Sequence, residues 1–198
     1  MPTDWESRYR AGDTPWERGE ASPGLVDFLA ASPLHGRVLV PGCGLGHDVR
    51  AISAAGGERV EAVGLDIAPS AVTAARALPR VGNERFEVGD LFNPPDEWLG
   101  AFDGVWEHTC FCAIDPELRE RYVSSVARLL RPGGEFLAIF YLDPGLEPGE
   151  SGPPFGVSPE ELDRLFQGPF RLNRRWAPTR TYPGREGREE MRLYLREG

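Results

Sequence analysis

The sequence predicts an α/β fold in a single domain over residues 1–198, built on a mostly parallel, doubly wound sheet that closes with a terminal antiparallel hairpin strand. Three observations predict it. Short β-type runs alternate with helix-type runs through the middle of the chain, the signature of a parallel sheet with crossover helices. The first run, Val38-Leu39-Val40, breaks into Gly42-Cys43-Gly44-Leu45-Gly46 before a helix resumes. The second run ends on a carboxylate, Val63-Gly64-Leu65-Asp66.

Along the chain, Trp5 and Tyr9 fall four apart, so a helical turn stacks them on one face. Pro15-Trp16 interrupts any helix there, and Ser22-Pro23 reads as cap and first-turn proline of a helix running to about Ala31. Residues 1–33 are therefore expected to form an N-terminal lid and anchor ahead of the sheet. Strands are expected at 38–40, 60–65, 85–88, 102–106 and 135–141, with helices at 48–55, 70–78 and 117–130 between them. Arg131-Pro132-Gly133-Gly134 reads as the stop between the last of those helices and the next strand. A helix near 159–166 precedes two closing strands, 170–176 and 189–196, whose link is short enough for a hairpin. The stretch 143–156 is dense in Pro and Gly and follows a strand's carboxyl end, where inserted segments form substrate loops.

Composition removes several function classes. All 22 basic residues are arginine, so a Schiff-base lysine, a pyridoxal phosphate site and a P-loop lysine are absent. A formal charge of −9 argues against phosphate-rich partners, whose binding needs clustered positive charge. No apolar run is long enough to cross a bilayer and the first residues do not read as a leader. The expectation is a cytoplasmic monomer with a small-molecule acceptor, and neither a nucleic acid nor a membrane as partner. Cys43, Cys110 and Cys112 form no C-x-x-C pair, and reduced packing thiols rather than a metal site are expected.

In open α/β sheets the ligand lies beyond the carboxyl ends of the strands. Four ends are legible: Gly42-Cys43-Gly44, Asp66-Ile67, Asp90-Leu91 and Glu107-His108. Alternating glycines leave backbone N–H groups free at a helix start, and an acid closing the second strand is the position that grips a ribose diol. A pyrophosphate loop reads G-x-G-x-x-G, whereas Gly42-x-Gly44-x-Gly46-His47-Asp48 follows the spacing of S-adenosylmethionine enzymes. Asp90 can accept from an adenine amino group, with Leu91 beside the ring, or can simply cap a turn. Trp5 and Trp16 can hold a sulfonium cation on their faces or serve as packing anchors. His108 stands where a nucleophile would arrive, as a base or as a hydrogen-bonded structural residue.

The ordered set Trp5-Glu6, Thr14-Pro15-Trp16-Glu17, Leu39-Val40-Pro41-Gly42-Cys43-Gly44-x-Gly46-His47-Asp48, Val63-Gly64-Leu65-Asp66-Ile67, Phe111-Cys112-Ala113-Ile114, Leu130-Arg131-Pro132-Gly133-Gly134-Glu135 and Gly152-Pro153-Pro154-Phe155 resembles the thiopurine S-methyltransferase superfamily. The likeness extends from Trp5 to about Phe166 and is nearest the halide/thiol (thiocyanate) methyltransferase branch. It implies a Rossmann-like class I methyltransferase fold, S-adenosylmethionine as methyl donor with S-adenosylhomocysteine as product, and no metal. It further implies cofactor contact from Trp5, Trp16, Gly42, Asp66, Asp90, Leu91 and the 107–108 region, with the tryptophans closing over the cofactor. The chain departs from the pattern at Tyr9, Glu17, His108 and Phe155, where relatives tend to have Trp, Asp, Tyr and Tyr; the last two face the expected acceptor pocket, and we read His108 and Phe155 as its catalytic candidates.

Competing readings are a nucleic-acid or other small-molecule N/O-methyltransferase and a non-catalytic S-adenosylmethionine-binding protein of the tellurite-resistance type. Asn93-Pro94-Pro95-Asp96 imitates the Asn-Pro-Pro-Tyr motif of amino-methylating enzymes, but it follows the wrong strand and residue 96 is not aromatic.

Overall fold

The computed structural model describes residues 3–147 and 150–198; residues 1, 2, 148 and 149, which belong to the expected 1–33 and 143–156 segments, lie outside the described residues. The strands are β1 (Gly36–Pro41), β2 (Val60–Asp66), β3 (Glu84–Val88), β4 (Phe102–His108), β5 (Leu130–Tyr141), β6 (Phe170–Trp176) and β7 (Glu189–Arg196). They form one sheet in the order β3-β2-β1-β4-β5-β7-β6. The first five run parallel, and β7 pairs antiparallel with both β5 and β6. The strand order reverses between β1 and β4, which sets the topological switch point beside the glycine loop.

The helices are α1 (Trp5–Ala11), α2 (Pro23–Ala31), α3 (His47–Gly56), α4 (Pro69–Ala77), α5 (Arg119–Leu129) and α6 (Pro159–Phe166). Central strands are apolar on both faces because both are covered. On one face Leu25 and Leu29 of α2, Val49 and Ile52 of α3, and Val72 and Ala75 of α4 bury Val38, Val40, Trp106 and Leu137. On the other, Tyr122, Val123 and Val126 of α5 and Leu162 and Phe166 of α6 bury Leu39, Val63, Val105 and Phe136. Val38 and Val40 thus face one layer and Leu39 the other, the period-two alternation of a strand.

Most boundaries fall within two residues of the sequence expectation, and the start of β5 differs by five. β5 begins at Leu130, not at Glu135, and the Arg131–Gly134 stretch lies within the strand. Leu130 pairs with Phe102, and the register then jumps to Gly104 opposite Glu135, so the extra residues are absorbed as a bulge. The Arg131 Nε–Asp103 Oδ1 contact of 2.6 Å pins it, while Asp103 Oδ2 accepts from the Arg37 N–H at 2.8 Å.

Candidate active site

The loop after β1 is built from backbone that side chains avoid. Gly42, Gly44 and Gly46 have φ of +58°, +52° and +76°, the left-handed region that glycine enters without a steric penalty. A Cβ at Gly46 would run into the Phe86 ring, and one at Gly44 would lie 2.9 Å from Tyr9 Oη. The Cys43 N–H donates to the Leu65 carbonyl at 3.1 Å, tying the loop to the end of β2. One residue further, the Gly44 N–H donates to Asp66 Oδ2 at 2.9 Å, and the Ala68 N–H donates to Oδ1 at 2.9 Å. Asp66 is only 6% exposed, and burial outweighs those donors to raise its carboxyl above the ordinary range. Ile67 beside it holds an apolar side chain 56% exposed, a surface that a flat ring can cover.

Over this loop lies the N-terminal segment. Asp4 caps α1 by accepting from the Ser7 N–H, and Gly12 closes the helix with a left-handed φ. Glu6 accepts from the Ser70 N–H at 2.9 Å and the Ser70 hydroxyl at 2.7 Å, so it caps the first turn of α4 from outside and fastens α1 to it. Trp5 and Trp16 meet edge to face at 5.3 Å, and the Trp16 Nε1–H donates to Tyr9 Oη at 3.1 Å. Tyr9 is thus wedged between Trp16 and the Gly44 backbone, and burial there pushes its phenol pKa up. The Arg8 guanidinium lies 4.4 Å from the Trp16 ring centroid and 5.9 Å from that of Trp5, so the tryptophan pair already attracts a cation. Glu17 Oε1 approaches His47 Nε2 at 3.1 Å, outside hydrogen-bonding angles, at the start of α3.

At the end of β4 successive side chains point to opposite layers. Glu107 is fully buried on the α5 side, where it accepts from the Phe111 N–H at 2.7 Å and from the Tyr122 hydroxyl. Burial pushes its carboxyl up to about 7 against those donors. Its side chain fastens the turn after β4, and only its main chain remains for a ligand. His108 turns towards α3, with Nδ1 3.0 Å from Asp48 Oδ2 and its ring stacked on Tyr182 at 5.8 Å. Asp48 also accepts from the Trp106 Nε1–H and from the Ser22 N–H, each at 2.7 Å. Burial alone would raise the Asp48 carboxyl; His108, Trp106 and Ser22 outweigh it and hold the group below its ordinary value. The next residue, Thr109, has φ +66°, the one non-glycine positive φ among the described residues and a strained setting for a β-branched side chain.

Asp90 accepts from the Phe92 N–H at 2.8 Å through Oδ1 and from the Asn93 amide through Oδ2, so it caps its own turn, and Leu91 is buried against the α5 layer. Phe155 belongs to the segment leaving β5: its N–H donates to the Cys112 carbonyl at 2.7 Å, and Arg119 secures the neighbouring Gly156 carbonyl at 2.9 Å. Trp5, Trp16, Gly42, Cys43, Gly44 and Asp66 therefore gather around one loop, while Phe155 stands at the turn that carries Cys110 and Cys112. Burial pushes the Cys112 thiol up to about 12 and those of Cys43 and Cys110 well above their usual value, which makes them poor nucleophiles. Among the described residues no three His, Cys, Asp or Glu side chains are grouped to hold a metal, and no helix is long and apolar enough to cross a membrane.

The residues present suit an adenosyl sulfonium ligand: a held carboxylate for a diol, a glycine-rich loop donating to it and a cation-attracting aromatic pair over that loop. Asp48 is the functional candidate that sequence reasoning missed. It was visible as an acid in the first turn after the glycine loop, but its partner lies 60 positions away.

Residues 1–179 match the thiopurine S-methyltransferase family. Thiocyanate methyltransferase 1 of Brassica oleracea is 38% identical over 160 residues, covering 78% of this chain and 67% of that protein. A thiopurine S-methyltransferase of Xanthomonas campestris pv. campestris (strain 8004) is 33% identical over 184 residues, covering 84% of this chain and 82% of that one. The solved 1,6-didemethyltoxoflavin-N1-methyltransferase of Burkholderia thailandensis, with its substrate and S-adenosylhomocysteine bound, shares the fold at TM-score 0.72 and 20% identity, over 98% of this chain and 86% of that one.

Proposed function

The chain belongs to the thiopurine S-methyltransferase family, and from that premise we propose how its site works and what it accepts. It is an S-adenosylmethionine-dependent methyltransferase that methylates the sulfur of small thiol-type acceptors. In our reading Asp66 receives the ribose diol, Gly42, Cys43 and Gly44 border the cofactor, and Ile67, Asp90 and Leu91 take the adenine. Trp5 and Trp16 cover the sulfonium, and the Glu107–His108 main chain closes the site. One observation carries this reading: Asp66 is buried and oriented by the Gly44 and Ala68 N–H groups, beside a loop whose three glycines have left-handed backbone.

When bound, S-adenosylmethionine supplies a methyl group activated by positive sulfur. Displacement by an anionic nucleophile cancels charge, so a dry, aromatic pocket helps by stripping water from the acceptor and aligning it behind the methyl. Phe155, Trp16 and the Cys110–Phe111 turn supply that wall. Hydrosulfide, thiocyanate, iodide, thiopurines and larger thiols are the acceptors of this class, taken by a cytoplasmic monomer whose net charge of −9 does not suit nucleic acid. A panel of these acceptors, assayed for S-adenosylhomocysteine release, tests the reading. Turnover with small thiols or anions is expected, and cofactor binding without turnover on any of them contradicts it.

A further inference from the structure

We propose that Asp48 and His108 form a proton-accepting dyad that equips the enzyme for thiols that arrive protonated at neutral pH, beyond acceptors that are already anionic. The inference rests on the S-methyltransferase reading above and deepens it.

The dyad is assembled from three separate elements. Asp48 in the first turn of α3 is held by the Ser22 N–H at the start of α2 and by Trp106 Nε1 of β4, each at 2.7 Å, and offers Oδ2 to His108 Nδ1 at 3.0 Å. A carboxylate only accepts, so the hydrogen between the two belongs on Nδ1, and the base form of the ring carries its lone pair on Nε2. That Nε2 is buried and has no hydrogen-bond partner. A buried acceptor left unpaired is costly, and an incoming S–H is the kind of donor that satisfies it.

Position supports the same assignment. His108 closes β4, the strand hydrogen-bonded to β1, whose end becomes the glycine loop. The strained Thr109 follows it at φ +66°. Around the imidazole stand Asp48 from α3, Trp106 from its own strand, and Tyr182 from the link between β6 and β7. Beyond Tyr182 lie the Arg185 and Arg18 guanidiniums, 5.6 and 5.9 Å from its ring, and its hydroxyl donates to the Glu20 carbonyl at 2.8 Å. Glu107 lies on the opposite face of the strand, turned to Tyr122. Among the described residues Asp48 is the one carboxylate paired with the ring.

In the step proposed, the acceptor's S–H bond breaks and its proton passes to Nε2, leaving the electron pair on sulfur. That sulfur forms the new bond to the methyl carbon while the carbon's bond to the sulfonium breaks, its electron pair staying with the departing neutral thioether. The imidazolium, stabilised by Asp48, then returns its proton to water. His108 is the catalytic residue and Asp48 the positioning residue.

The test is a series of para-substituted aromatic thiols of similar size, running from fully ionised to mostly protonated at the assay pH, with wild type, His108→Gln and Asp48→Asn. At pH 7 a thiol of pKa near 9 is only about one-hundredth thiolate. The variants' loss in kcat/KM is therefore expected to grow along the series by up to about 100-fold from the most acidic to the most basic thiol. Any cost in folding or cofactor contact is common to all members and cancels in that trend; His108→Gln, which keeps a comparable shape, guards against misfolding of Asp48→Asn. A loss that is uniform along the series overturns the dyad and leaves it as a fastener of α2, α3 and β4. Wild type that turns over no thiol in the series but methylates thiocyanate or iodide overturns the dyad alone, whereas no turnover on any of these acceptors overturns the S-methyltransferase reading and the dyad with it.

Discussion

The Gly44 N–H donates to Asp66 Oδ2 across 2.9 Å, so the loop that would receive the cofactor is braced by the side chain that would bind it. Only an ionised carboxylate accepts from two backbone donors and two hydroxyls together. Because burial raises the Asp66 carboxyl, it protonates at a higher pH than an ordinary aspartate. Affinity for S-adenosylhomocysteine is therefore expected to fall on mild acidification, before exposed carboxylates titrate. Asp66→Asn should flatten that dependence and weaken binding at neutral pH by about 10- to 100-fold, the worth of a charged hydrogen bond. Calorimetric titration across pH checks both.

On the proposed reading, the tryptophan pair should distinguish the charged cofactor from its thioether product. Arg8 already sits 4.4 Å from the Trp16 ring centroid, and a sulfonium on the same aromatic wall would gain about 0.5–2 kcal/mol. Trp16→Ala should weaken S-adenosylmethionine by about 2- to 30-fold and S-adenosylhomocysteine distinctly less. Equal losses for the two ligands in parallel titrations would assign Trp16 to anchoring alone.

Glu107 gives a stability signature. A carboxyl whose folded value lies above its unfolded one stabilises most at low pH, and that contribution disappears as pH rises from the ordinary 4.5 through about 7. At ~1.4 kcal/mol per pH unit this amounts to about 3 kcal/mol. Asp48, held low, acts with the opposite sign and loses its contribution as pH falls. The difference between wild type and Glu107→Gln in denaturant midpoint, followed from pH 4.5 to 7, isolates Glu107. Wild type should lose ground to the variant as pH rises.

Glu6 joins α1 to Ser70 of α4, and this contact anchors the cover over the glycine loop. Glu6→Ala should speed limited proteolysis near Trp16, and S-adenosylhomocysteine should slow it in wild type. Cleavage rates unaffected by the ligand would contradict a cover that closes on it.

Local signals carried much of this structure. The apolar alternation placed every strand, and the spacing from the glycine loop to Asp66 read out a contact that the backbone makes directly. Long-range and competing interactions were not legible in the same way. Asp48 and His108 meet only because β1 lies beside β4, a consequence of strand order that no local pattern contains. Arg131–Gly134 has the composition of a loop, yet pairing of Leu130 with Phe102 draws it into β5 as a bulge. Asp90 and Glu107 sit at strand ends as expected, but each side chain is engaged by its own turn, which residue type alone does not reveal.

Methyl transfer to a small aromatic thiol, with the thioether identified by mass spectrometry in wild type and Asp66→Ala, tests the account most directly. We predict one thioether formed per S-adenosylhomocysteine released by wild type, and kcat/KM reduced by at least about 100-fold in a variant that remains folded. Undiminished transfer by Asp66→Ala, or S-adenosylhomocysteine released without thioether, would contradict it.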